Sequence, residues 1–164
     1  YLNGKRLHKL KVTDRLNLVD NYSEPRNIAK DIFDNFNVSK YIECGSFGLK
    51  SCLVADGSAD LFVKDIPFRD WDIAPVMIII KEVGGVLSDL EGKQVKLSGS
   101  IEKNNGLVVS RDSDLSKKVV DFARKLDTAK ISVVATRNCI HIKGNDKMPP
   151  KRRDIKVQGF RIIL

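Results

Sequence analysis

The stretch from Trp71 to Gly85 restricts the fold more than any other part of the chain. Behind Trp71-Asp72, residues Ile73, Val76, Met77, Ile80 and Val83 recur at helical spacing, and Ile78 and Ile79 make the other side apolar too. A helix apolar on nearly all sides is expected to be buried nearly all round. Gly84-Gly85 then supplies its end.

The rest of the chain supplies candidate layers. Residues 16–19, 41–44, 61–63, 106–110 and 131–135 read as short strands. Ser23-Glu24-Pro25 opens a helix with Ile28, Ile32, Phe33 and Phe36 inward. Gly45-Ser46 opens a second over residues 47–55, which Asp56-Gly57 stops. A helix over 112–126 turns Leu115, Val119, Phe122 and Leu126 inward. Asn3-Gly4 marks a hairpin, with residues 5–12 as its complete arm. Residues 86–87 and 96–97 flank a turn at Glu91-Gly92. Strands alternating with helices predict an α/β fold, a mixed sheet flanked by helices on both sides.

Net charge is +8, unevenly placed. Residues 1–126 hold 20 Lys/Arg against 18 Asp/Glu, whereas residues 127–164 hold nine against three. The first part is expected to form one domain. The second is expected to carry the last strand and a basic extension. No apolar run approaches the ~20 residues of a bilayer-spanning helix, so no membrane role is expected. The cysteines Cys44, Cys52 and Cys139 include no C-x-x-C and have no useful spacing to His8 or His141. They read as free thiols of a reducing compartment, the cytoplasm. The chain starts at Tyr1, and the first arm of its hairpin is cut short, so an upstream segment is expected.

Asp72 is the residue with chemical promise. A carboxylate at a helix start can cap free N–H groups, or offer a hard oxygen to a cation. Both are compatible, because one oxygen can cap while the other binds.

Trp71-Asp72-Ile73-Ala74, followed by Glu82-Val83-Gly84-Gly85, resembles the C-terminal signature of the inositol monophosphatase superfamily. Gly45-Ser46 leading to Leu53-Val54-Ala55-Asp56-Gly57-Ser58-Ala59-Asp60 is similar to the preceding family segment, and Asn3-Gly4-Lys5 to its hairpin. The resemblance runs from about Tyr1 to Leu126. It implies the C-terminal half of the layered sugar-phosphatase fold and a magnesium-dependent phosphomonoesterase. The substrate would be inositol monophosphate or fructose 1,6-bisphosphate, with a 3′-phosphorylated nucleotide as the fallback. Asp72 would be a metal ligand for Mg²⁺. Gly45, Ser46 and Phe47 would contact the sugar or cyclitol. Asp65 would accept from a substrate hydroxyl, with Lys64 or Asp70 as alternatives, and Arg69 could reach a second phosphate.

The family's D-P-[IL]-D-G-[ST] motif and its upstream Glu-Glu pair do not occur in these 164 residues. No catalytic residue is therefore assigned within the chain. The Mg²⁺ site would need ligands from a missing N-terminal segment, because one carboxylate cannot assemble a metal clamp. The resemblance thus implies little activity for this chain alone. It also implies exposed apolar surface on the first strands, covered by a complementing chain or a homo-oligomer. Two other readings are a non-catalytic fold relative and a nucleic-acid-binding module. The latter would use Lys147, Lys151, Arg152, Arg153, Lys156, Phe160 and Arg161, a weak pattern since phosphate contact needs only charge.

Overall fold

A computed structural model describes residues 2–7, 14–99, 103, 105–140, 154–157 and 160–163. It divides into two compact units, Tyr1–Thr128 and Ala129–Leu164. The first contains strands β1 (Leu16–Asp20), β2 (Val38–Glu43), β3 (Leu61–Lys64), β4 (Val86–Ser88) and β5 (Leu107–Ser110). Its helices are α1 (Asn27–Asn35), α2 (Phe47–Ala55) and α3 (Asp70–Glu82). Helix α4 (Ser113–Ile140) starts in it and runs beyond its limit. In the second unit β6 (Asp154–Val157) pairs antiparallel with β7 (Phe160–Ile163).

The five strands of the first unit form one mixed sheet in the order β2-β1-β3-β5-β4. β1 pairs parallel with β2 and β3, while β5 pairs antiparallel with β3 and β4. Period-two alternation sends neighbouring residues to opposite faces. Leu18, Leu61, Val63 and Val108 meet Ile28, Ala29 and Ile32 of α1 and Leu115, Val119 and Val120 of α4. Val19, Phe62, Leu107 and Val109 meet Val54 of α2 and Ile73 and Ile80 of α3. The sheet is thus covered on both faces, as the alternation of elements predicts. Each fully buried Leu, Val or Phe contributes roughly 1.5–3 kcal/mol.

Local chemistry explains most boundaries. Ser46 caps α2 by accepting from Leu49 N (3.3 Å), and Asp56 closes it, with its Oδ1 accepting from Ser58 N (2.8 Å). Asp112 Oδ1 accepts from Leu115 N (2.8 Å) at the start of α4. Asn3 (φ 50°) and Gly4 (φ 79°) form the expected tight turn, bridged by Leu2 and Lys5. Most of the arm over residues 5–12 lies outside the described residues. Gly84 (φ 80°) ends α3, and its N–H donates to Lys81 O (3.1 Å) while Gly85 N donates to Ile80 O (2.9 Å).

Several expectations are corrected. Residues 131–135 lie within α4 instead of forming a last strand. β-branching disfavours a helix only weakly, and extending one already nucleated is easier than starting a strand. α1 begins at Asn27, two residues after Pro25, and Ser23 does not cap it. Phe33 is exposed, edge-on to Tyr41 at 6.0 Å. α3 is not buried all round. Ile73, Val76 and Ile80 are buried, but Trp71 and Ile78 are 60% and 58% exposed. The most exposed large apolar side chains are Trp71 and Ile78 of α3 and Leu49 of α2, followed by Leu97. β1 and β3 are buried on both faces, whereas β2 at the sheet edge has no buried residue, so the expectation of exposed first strands fails for β1 and holds for β2.

Candidate functional site

The chain leaves β1 toward β2 through α1 on one face, and leaves β3 toward β4 through α3 on the other. Between adjacent strands whose connections diverge, a crevice opens at the carboxyl ends. Here those ends are Asp20 and Lys64. The start of α2, residue 65 and the start of α3 come after the carboxyl ends of parallel strands. The topology thus carries Gly45, Ser46, Phe47, Asp65, Arg69 and Asp72 to one edge of the sheet.

Asp72 is the third residue of α3 and not its cap. Its Oδ2 accepts from the backbone N–H of Arg69 (2.9 Å), the residue that precedes the helix. This bond holds the carboxylate on the first turn, where the helix dipole favours negative charge. It engages one oxygen by hydrogen bonding. Arg69 is exposed, with its guanidinium over the Trp71 ring at 5.3 Å. Asp65 is exposed directly after β3.

The alternatives to Asp65 are otherwise engaged. Lys64 is buried and paired with Asp20. Asp70 Oδ2 accepts from Ser98 N and Gly99 N (2.9 Å each), and Oδ1 meets Lys103 Nζ at 2.8 Å. Lys103, then the Ser98 and Gly99 amides, hold the Asp70 carboxyl below its usual range. Phe68 and Lys103 exchange two backbone hydrogen bonds, 3.0 and 2.8 Å. Ser98, Gly99 and Lys103 therefore fasten the loop that leads into α3.

At the start of α2, Gly45 and Ser46 are exposed, and a Cβ on Gly45 would meet nothing within 4 Å. Phe47 is half-buried and packs edge-on against Phe62 at 5.3 Å. Beneath this corner lies a charged cluster missed from the sequence. Asp20 and Lys50 are fully buried, and the Asp20 carboxylate pairs with Lys64. Lys50 Nζ donates to Asn21 Oδ1 and to Cys44 O (3.2 Å). Burial, and then the charge of Lys64, push the Lys50 amine below its ordinary value. Tyr41 Oη donates to Tyr22 O (2.9 Å), and burial followed by Asp20 and Glu43 pushes its phenol up to about 12. The available signal was one lysine, the single charged residue in the run from Phe47 to Ala55.

Among the described residues no group of three or more His, Cys, Asp or Glu side chains could hold a metal ion. Asp72 by itself does not fit a Mg²⁺ centre, which needs several oxygen ligands in octahedral array. A separate cavity of about 620 Å³ runs along α3 and β4, lined by Met77, Ile78, Leu87, Val95 and Leu97 among others. None of the predicted site residues lines it. No helix among the described residues is long and apolar enough to cross a membrane.

The fold is thus a five-stranded mixed sheet covered by helices on both faces, with Asp72 on the first turn of α3 bonded to the Arg69 amide. A profile of the inositol monophosphatase family matches residues 2–128, and the chain belongs to that family, whose members are phosphatases. It is 30% identical over 123 residues to a fructose-1,6-bisphosphatase/inositol-1-monophosphatase of Methanocaldococcus jannaschii, covering 74% of this chain and 48% of that protein. A 47-residue stretch is 47% identical to a 3'(2'),5'-bisphosphate nucleotidase CysQ of Aggregatibacter actinomycetemcomitans, 29% of this chain and 18% of that protein. The fold matches the crystal structure of an inositol monophosphate-bound staphylococcal inositol monophosphatase with a TM-score of 0.64. That match has 22% identity and covers 84% of this chain and 53% of the other. The chain thus spans about half the length of the archaeal relative and of the solved structure.

Proposed function

We propose that this chain is the C-terminal half of a magnesium-dependent phosphomonoesterase acting on a sugar or cyclitol phosphate. Inositol monophosphate and fructose 1,6-bisphosphate are the candidate substrates. The observation that carries the reading is Asp72, whose carboxylate is held by the Arg69 amide at the sheet's carboxyl edge. When bound, Mg²⁺ would supply charge neutralisation of the phosphate and a more acidic water. Asp72 would contribute one of its ligands, and the others would come from a complementing segment. Gly45, Ser46 and Phe47 would line the sugar side, Asp65 would accept from a hydroxyl, and Arg69 would meet a second phosphate. The local identity to a bisphosphate nucleotidase supports a 3′-phosphorylated nucleotide as the second substrate reading. The C-x-x-C-free thiols fit a cytoplasmic setting.

The test is phosphate release with Mg²⁺ from both candidate substrates. The chain alone is expected to be silent on the ~10 s⁻¹ scale of ordinary enzymes. Adding the N-terminal half of a family member should restore turnover, and Asp72→Ala should abolish it again. Full turnover by the chain alone, or restored turnover that tolerates Asp72→Ala, would overturn the reading.

A further inference from the structure

Lys50 places an ammonium group where the surrounding pattern asks for an apolar side chain. It sits in the first turn of α2 and is 0% exposed. Its flanks are the rings of Phe47 and Phe62, whose centroids lie 5.1 and 4.7 Å from Nζ. Its donors reach Asn21 Oδ1 and the Cys44 carbonyl. Residues 21 and 44 are the first positions beyond β1 and β2, which are adjacent and parallel. One side chain therefore joins the exits of two neighbouring strands.

Such a joint matters because the turn after Cys44 has little else to confine it. A Cβ on Gly45 would meet no neighbour, and Ser46 is exposed. The turn that presents the first amides of α2 is held from below. The holds are the Cys44 N–H on Asp20 O (2.7 Å), the Lys50 bond to Cys44 O, and the Ser46 cap. An apolar side chain could fill the same space without the desolvation penalty of a buried ammonium, so what distinguishes Lys50 there is its donors.

We propose that Lys50 is a positioning residue for the substrate corner, fixing the Cys44–Gly45–Ser46 turn, and through it the first amides of α2, to the end of β1. The proposal rests on the reading that Gly45, Ser46 and Phe47 contact the substrate.

The test is amide hydrogen exchange on the chain, resolved by NMR. In Lys50→Met, exchange at Gly45, Ser46 and Phe47 should accelerate about tenfold while Val119 and Val120 in α4 keep their protection. Lys50→Arg, which keeps the donors, should restore protection. Asn21→Ala should loosen the same amides, and its effect should not add fully to that of Lys50→Met, as for partners in one bond. Unchanged protection at residues 45–47 in both Lys50→Met and Asn21→Ala would overturn the proposal, as would equal loss throughout the unit. Titration with inositol 1-phosphate and Mg²⁺, of the chain complemented by the N-terminal half of a family member, separates the underlying reading. Shifts at residues 45–47 that weaken in Lys50→Met support positioning. Local loosening without any shift in the wild type would leave Lys50 as scaffold only and sink the substrate corner itself.

Discussion

Replacing Asp20 by Asn should destabilise the chain far more than its size suggests. Its carboxylate is fully buried and ion-paired with Lys64, itself 5% exposed, and a second buried lysine, Lys50, lies close enough to feel both charges. Asn keeps the shape but removes the only negative charge of the three. Two ammonium groups would then share a desolvated site with no counter-charge. Breaking a buried pair on one side costs about 3–5 kcal/mol. That is a large fraction of the ~5–15 kcal/mol that stabilises a typical domain. With a urea slope of about 2 kcal/mol/M, the unfolding midpoint should fall by roughly 1.5–2.5 M. The assay is urea unfolding followed by circular dichroism. Adding Lys64→Met removes the stranded charge and should return at least about half of the loss, since a well-packed apolar replacement is often neutral. A loss under about 1 kcal/mol for Asp20→Asn, or a double variant no better than the single, would show that the cluster is hydrated and refute the reasoning.

Gly106 adopts φ +65°, and a Cβ there would lie 2.5 Å from Lys64 O and 2.4 Å from Leu90 Cδ1. Gly106→Ala should therefore cost about 2–4 kcal/mol in thermal or urea unfolding, from strain and overpacking together. Asp72→Ala should remove only about 0.5–1 kcal/mol of stability in the chain alone, the value of one exposed capping bond, as read by the same unfolding curve. Burial alone would raise the Asp112 carboxyl, but the Leu115 amide and the Arg111 guanidinium outweigh it and hold its pKa below the ordinary value. A depressed folded pKa gives stability that is present above the unfolded value and lost as pH falls through the folded one. Asp112→Asn should therefore flatten the acid limb of a stability–pH profile below about pH 4. The open apolar face should make the chain self-associate at high concentration, and Ile78→Asp with Leu49→Asp should shift it toward monomer in light scattering.

The sequence was most informative where local chemistry acts alone. Ser46 and Asp56-Gly57 bracket α2 at its observed limits, and Gly84-Gly85 ends α3, because caps and turns depend on few neighbours. Sheet order was not written in any local pattern, since parallel pairing joins segments far apart in the chain. The run at residues 131–135 misled because β-branching speaks softly beside an established helix. Burial of α3 was overestimated because apolar residues record what a surface needs, and not whether this chain supplies it. Asp72 was singled out through its neighbours in a motif, and its place on the first turn of a helix follows from the apolar run behind it. Lys50 and Lys64 were not legible, because a buried lysine looks the same in sequence as one in water. Only the fold reveals that Asp20 sits beside them.

A Cβ on Gly85 would come within 2.9 Å of the Ser110 carbonyl and 3.2 Å of the Ile80 carbonyl, so the far end of α3 is clamped to β5 by bare backbone contact. At the near end, Asp72 and the strapped loop before it secure the other extremity. A helix fastened near both ends has less freedom to tilt or slide. Any opening of this layer would first have to release one of these two fastenings.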